Sequence, residues 1–140
     1  MARRVPRGDR TDLTSLEQAR RIAGLAQQKL ARDVLILDMR PVCAYTDFFV
    51  ICTGGNPRQV KAIFDEVSGR LKKERRDLPR SVAGEREATW VVADYLDVVL
   101  HVFTPEARGF YRLEQLWADV PLVSPGGDAS RPAEPASGAA

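Results

Sequence analysis

The sequence predicts a single α/β domain, a mixed sheet of about five strands flanked by helices. Three observations carry that expectation. Amphipathic stripes alternate with strand-like runs, in the order helix, two strands, helix, three strands, helix. Two of the runs are almost wholly apolar, as strands covered on both faces tend to be. A chain of 140 residues with 44% hydrophobic and 29% charged side chains can also bury one core of ordinary size.

Taken in order, Thr14-Ser15-Leu16-Glu17 has the reciprocal capping pattern that opens a helix. Leu16, Ala19, Ile22, Ala23, Ala26 and Leu30 then share one face, with the end expected near Ala31. Gly24 weakens this helix modestly. Val34-Leu35-Ile36-Leu37-Asp38 follows as a short strand. After Pro41 and a turn around Thr46-Asp47, a second strand runs from Phe48 to Thr53.

Gly54-Gly55-Asn56-Pro57-Arg58-Gln59 is the sharpest local signal. Asn56 suits an N-cap, Pro57 the first helical position, and Gln59 the closing residue of a capping box. Val60, Ile63, Phe64, Val67 and Leu71 continue as an apolar stripe. Arg70, Lys72, Lys73, Arg75 and Arg76 complement the negative end of the helix dipole. A weak strand is expected over Arg80 to Ala83. Thr89–Asp94 and Val98–Phe103 read as strands joined by a Tyr95-Leu96-Asp97 hairpin turn. Thr104 and Pro105 start a final helix, with Ala107, Phe110, Tyr111, Leu113, Leu116 and Trp117 on its apolar side.

Both ends fall outside this domain. Residues 1–13 are Arg-rich without apolar periodicity, and residues 124–140 are almost all Ser, Pro, Gly and Ala, so both are expected to be disordered. The domain proper is therefore expected over residues 14–123. The net charge of +2 argues against non-specific binding to nucleic acid or membrane as the main activity. No apolar run approaches the about 18 residues of a membrane span, and no apolar segment follows the basic start as in a secretory signal. Cys43 and Cys52 are expected to be reduced, in keeping with a cytoplasmic protein. With one histidine and two cysteines, a His/Cys metal site is poorly supplied with ligands.

Each candidate for chemistry has a plainer reading beside it. Gly54-Gly55 before a helix start suits a phosphate, but it suits a tight strand-to-helix turn at least as well, and no Walker or dinucleotide fingerprint accompanies it. Asp94 and Asp97 are carboxylates of the kind a metal-dependent nucleotidyltransferase needs, and Asp47 could join them. Their spacing of three spans a turn rather than one strand face, which favours solvated turn residues. His101 lies in an apolar strand with no nucleophile signature nearby, as a structural or contact residue would. Trp90 and Tyr95 sit among acidic and turn residues, a composition common on protein-binding surfaces. Strand alternation places Trp90 and Asp94 on one face, expected to be exposed.

Four segments extend this reading. Asp47 to Gly54, Arg58 to Ile63, Trp90 to Phe103 and Glu106 to Asp119 resemble, in order, the motifs of the ribosomal silencing factors, also called the Iojap family. The most specific part is W-x-x-x-D-Y-x-D-V-V-x-H-V-F followed by F-Y-x-L-E-x-L-W. The resemblance runs from about the first helix to Val123. It implies a fold related to the nucleotidyltransferases without their catalytic carboxylates, no enzymatic activity and no cofactor. It also implies binding to the large ribosomal subunit through ribosomal protein L-fourteen, a block on subunit joining, repression of translation, and a homodimer when free.

The positions matching the family's contact surface are Trp90, Asp94, Tyr95, Asp97 and His101, with Asp47 and Phe49 as lesser candidates. No membrane and no dedicated nucleic-acid site is implied. The chain departs from the family in its basic start, in its Pro/Ala/Ser-rich tail, and at Gly109, where a larger polar residue is usual. Two other functions compete on the residues alone. One is a divergent metal-dependent nucleotidyltransferase. The other is an RNA binder using the Arg70–Arg76 cluster.

Overall fold

A computed structural model of the protein describes residues 14–125; the expected N-terminal arm, and the expected tail beyond Pro125, lie outside the described residues. The elements are α1 (Ser15–Gln28), β1 (Arg32–Asp38), β2 (Phe48–Thr53), α2 (Pro57–Arg75), β3 (Ser81–Ala83), β4 (Trp90–Asp94), β5 (Val98–Phe103), α3 (Pro105–Tyr111), α4 (Leu113–Leu116) and β6 (Leu122–Val123). The strands form one six-stranded sheet in the order β3-β4-β5-β2-β1-β6. The pair β2/β5 is parallel and the other four pairs are antiparallel. The mixed α/β fold is as predicted, with β6 as an additional edge strand.

Every residue of β2 and β5 is buried, which is why their sequences are continuously apolar. One face of the sheet, built from Ile36, Phe48, Val50, Cys52, Val98, Leu100 and Val102, is covered by α1 and α2. Ala19, Ile22 and Ala26 of α1 meet Val60, Ile63 and Val67 of α2 there; α2 buries its whole predicted stripe, while α1 buries Ala19 to Ala26 of its own and leaves Leu16 half-buried. The opposite face is lined by Leu37, Phe49, Ile51, Val99 and Phe103 and is covered by the short α3–α4 segment together with Met39, Trp117 and Val120 from the adjoining loops.

Capping explains the helix starts. Glu17 N–H donates to the Thr14 hydroxyl at 3.1 Å and Thr14 N–H donates to the Glu17 carboxylate at 3.1 Å, completing the predicted box. At α2, Gln59 N–H donates to Asn56 Oδ1 at 2.9 Å, but the Gln59 side chain does not close a box. Its oxygen instead accepts from Gly55 N–H at 2.7 Å, and its amide donates to the Lys29 and Leu30 carbonyls. Gln59 thus ties the start of α2 to the end of α1. Helix α1 stops at Gln28, and Leu30, with φ 65°, points out of the stripe and is 75% exposed.

Two further departures have physical causes. The final helix breaks at Arg112, which adopts a left-handed φ of 50°, so Phe110, Tyr111 and Leu116 are exposed rather than buried. Strand β1 begins at Arg32, paired with Thr53, and a bulge between Arg32 and Leu35, with Asp33 at φ 51°, shifts its register.

Gly54 is needed because α2 presses onto the end of β2. A Cβ there would lie 2.9 Å from Val60 N and 3.2 Å from Ile63 Cδ1, whereas a Cβ on Gly69, in the middle of α2, meets nothing within 4 Å. Gly54→Ala is therefore expected to lower stability by about 1–3 kcal/mol through overpacking. Gly69→Ala is expected to raise it by about 0.5–1 kcal/mol. Urea denaturation of the two variants beside wild type checks both signs.

Candidate partner-binding face

The face opposite α1 and α2 gathers four of the seven predicted contact residues. Alternation along β4 sends Trp90, Val92 and Asp94 to this side, and Val91, Ala93 and Tyr95 to the helix side. On the neighbouring strands Val92 stands opposite His101, and Ile51 of β2 is level with His101. Phe49 lies beneath, its ring centroid 4.7 Å from that of His101.

Trp90 is the hub. Its ring stacks on Phe103 at 4.9 Å and meets Tyr111 of α3 at 4.6 Å, which leaves it half-buried. Its indole N–H donates to His101 Nδ1 at 3.1 Å. The polar end of the indole is therefore satisfied within the chain, and what remains exposed is apolar ring. Burial pushes the His101 imidazole down to about 4, so it is neutral at physiological pH.

Asp94 shares the face, as predicted, but its carboxylate already has partners. Oδ1 accepts from Leu96 N–H at 2.7 Å, closing the hairpin turn, and Oδ2 accepts from Arg80 Nη2 at 3.1 Å. Tyr45, 65% exposed, stands close to Cys43 and Asp94; proximity to the Cys43 thiol is the main cause raising its phenol, with Asp94 adding less. Asp47 and Asp97 sit where β2 and β5 begin, both half-buried. Asp97 O accepts from Asp47 N–H at 2.8 Å and from Phe48 N–H at 3.1 Å, which fixes the hairpin against β2.

Tyr95 is a correction. It is 2% exposed and packs in the core beneath α1 and α2, because it follows Val91 and Ala93 in the alternation. Burial pushes its phenol above the usual range. It supports the hairpin from below and is not a surface anchor.

Arg80 and Arg108 carry no signal in the sequence. Arg108 Nη1 donates to Thr53 Oγ1 and to the Asp33 carbonyl, both at 2.8 Å, while its Nε donates to Glu114 at 3.2 Å. That guanidinium, 11% exposed, fastens α3 and α4 over the end of β2. Its partners are distant in sequence or lie beyond the break at Arg112, so neither helical spacing nor strand alternation reveals them.

The rival chemistries find little to work with. Gly54 N–H donates to the Phe103 carbonyl at 2.8 Å and Gly55 N–H is held by Gln59, so both glycine amides are spent on the turn. Among the described residues, no group of three or more His, Cys, Asp or Glu could hold a metal ion. Arg70 of the basic cluster is paired with Glu66 at 3.2 Å and Glu74 at 3.1 Å. Cys43 and Cys52 are both free, and burial pushes the Cys52 thiol up to about 12. No helix among the described residues is long and apolar enough to cross a membrane.

Residues 12–139 match the model of the family described as ribosomal silencing factor during starvation. The chain belongs to the ribosomal silencing factor family. It is 39% identical over 101 residues to the ribosomal silencing factor of Bacillus subtilis, covering 72% of this chain and 85% of that protein. It is 33% identical over 98 residues to a mouse protein named mitochondrial assembly of ribosomal large subunit protein 1, covering 69% of this chain and 43% of the mouse one. Among solved structures it is similar to a Chromobacterium violaceum protein, with TM-score 0.73 and 27% identity over 76% of this chain and 88% of the other. A Bacillus halodurans protein gives TM-score 0.64 and 35% identity over 74% and 94% of the two chains.

The neutral, buried His101 has a measurable consequence for this member of the ribosomal silencing factors. An unfolded histidine titrates near about 6.5, and the native one near about 4. As pH falls through that window the unfolded chain takes up a proton that the native state refuses, so stability drops with falling pH and levels off below it. The expected slope from this residue is about 1.4 kcal/mol per pH unit, roughly 3 kcal/mol in all. Denaturation curves between pH 7 and pH 4, compared with His101→Gln, isolate this contribution from that of the carboxylates. An unchanged slope in the variant would show that the ring is not held neutral.

Proposed function

We propose that the protein represses translation by docking the Trp90 face of its sheet onto the large ribosomal subunit, through ribosomal protein L-fourteen. Bound there, it excludes the small subunit by occupying the surface where the two subunits meet. The action is steric, it needs no cofactor or bond-making step, and it takes place in the cytoplasm. Family membership supports this reading, as do the names of the relatives, which speak of ribosomal silencing and of ribosomal large subunit assembly.

The observation that carries it is the half-open aromatic patch centred on Trp90. Tyr111 rests against it and meets Phe110 at 5.0 Å, the two being 52% and 79% exposed. Aromatic anchors ringed by polar groups are the usual energetic centre of a protein interface. In this arrangement Trp90 supplies apolar area, Asp94 faces a basic group of the partner, and Asp47 and Asp97 extend the acidic edge. Phe49 and Tyr95 hold that surface from beneath, one on each side of the sheet. The exposed side chains of α3–α4 also suit self-association, which supports a homodimer in the free protein.

Wild type is expected to co-sediment with isolated large subunits and to reduce the yield of joined ribosomes in a sucrose gradient. Trp90→Ala should weaken that binding by roughly thirtyfold or more, the loss of a central anchor. Wild type that stays in the supernatant would sink the proposal. Arg80→Ala is expected to act in the opposite direction. Freed of its internal cation, Asp94 should bind the partner up to about fivefold more tightly at low salt. That gain should vanish when Asp94→Asn is added.

A further inference from the structure

A helix of seven residues is too short to hold its own shape in water, so the position of α3 is decided by what fastens it. Neither α3 nor α4 buries a residue fully; Ala107 and Leu113 pack against the sheet in part. Tyr111 nevertheless stands with its ring centroid 4.6 Å from that of Trp90, and Phe110 meets it edge-on at 5.0 Å. Tyr111 and Phe110 are 52% and 79% exposed. Exposed rings of this kind lose little contact by swinging into water, so the segment behind them decides where they stand.

Arg108 sets that segment. It lies about one helical turn before Tyr111, so fixing it fixes the turn that carries the ring. Its guanidinium reaches acceptors on three other segments: Thr53 Oγ1 at the end of β2, the Asp33 carbonyl of β1, and Glu114 beyond the break at Arg112. The acceptors in the sheet are firm. Thr53 is 3% exposed and stands level with Phe103 in the parallel ladder. The β1 bulge also has a use here, because it leaves Asp33 out of the ladder with its carbonyl accepting from the guanidinium.

Arg32, Thr53, Phe103 and Trp90 are cross-strand neighbours on β1, β2, β5 and β4. Helix α3 crosses this row, hydrogen-bonded to Thr53 through Arg108 and resting on Trp90 through Tyr111. The pin and the ring it serves thus stand two strands apart on one level of the sheet.

We propose that Arg108 is a positioning residue for docking, holding Tyr111 against Trp90 so that the two rings meet the ribosomal partner as one preformed anchor. The inference rests on the docking reading above and adds what keeps the anchor assembled. Without the guanidinium, Tyr111 has to be ordered during association, at a cost in affinity.

Arg108→Met keeps the aliphatic stem and removes the fork. Binding of the 140-residue chain to isolated large subunits is expected to fall about three- to tenfold in this variant. In a Tyr111→Ala background the same substitution should cost less than about twofold, because the ring it positions is gone. A residue that only supports the fold would cost the same in both backgrounds.

The free chain gives a second readout. It has two tryptophans, so Trp117→Phe leaves Trp90 as the only one that emits. Acrylamide quenching of Trp90 should rise when Arg108→Met is added, toward the level given by Tyr111→Ala. Wild type that fails to bind large subunits overturns the docking reading, and this inference with it. Wild type that binds, with losses from Arg108→Met and Tyr111→Ala that multiply, overturns the positioning role alone. So does Trp90 quenching that Arg108→Met leaves unchanged. If Arg108→Met does not fold, Arg108→Lys takes its place in both measurements, since an ammonium keeps the charge but cannot bridge segments as the planar fork does.

Discussion

The burial of β2 and β5 on both faces is the constraint from which the remaining architecture follows. Two parallel strands at the centre of a sheet leave apolar side chains on each side that water must not reach. On one side α1 and α2 complete the cover, with Ile22, Ile63 and Val67 sealed against Phe48, Val50 and Leu100. On the other, cover is supplied by two short helices that bury no residue fully, together with Met39, Trp117 and Val120 from the adjoining loops. The molecule therefore has a finished face and an unfinished one.

Strand alternation sorts the residues of the β4–β5 hairpin between those faces. Trp90 and Asp94 are separated from Tyr95 by the geometry of an extended chain, whatever their neighbours in sequence suggest. The resulting site is polar at specific atoms and apolar elsewhere. Its polar groups are mostly satisfied within the chain: the indole N–H by His101, and the Asp94 oxygens by Arg80 and Leu96. Such pre-pairing holds the side chains in one arrangement before any partner arrives, which lowers the ordering entropy of association.

Much of this was legible in the sequence, and the legible parts were local. The Thr14 capping box, the Asn56-Pro57 start of α2, its Val60–Leu71 stripe, the β4–β5 hairpin and the shared face of Trp90 and Asp94 all follow from spacing alone. The misplacement of Tyr95 came from reading its acidic neighbours as a sign of exposure, when its parity with Val91 and Ala93 gave the side. The break at Arg112 was hidden because no glycine or proline marks it, and a left-handed arginine leaves no trace in composition. Arg80 and Arg108 act across 14 residues to Asp94 and 55 residues to Thr53, distances that only the folded chain closes. The motifs of the ribosomal silencing factors span β2, β4 and β5, the strands that bring Trp90, His101 and Phe49 to one face.

Arg108 gives the α3–α4 segment an unusual kind of attachment. With no fully buried side chain of their own, these helices are held by the partly buried Ala107 and Leu113, by Tyr111 against Trp90, and by one guanidinium bridging Thr53, the Asp33 carbonyl and Glu114. A segment secured in this way is expected to open as a unit while the core stays intact, at a free-energy cost well below that of global unfolding. Amide hydrogen exchange would register this as faster, denaturant-insensitive exchange in residues 105–116 than in β2 and β5. Because Tyr111 rests on Trp90 while Phe103 stacks on the indole from the sheet, each such opening uncovers only the side of the ring that Tyr111 shields, so the rate of local opening sets how often that side meets solvent.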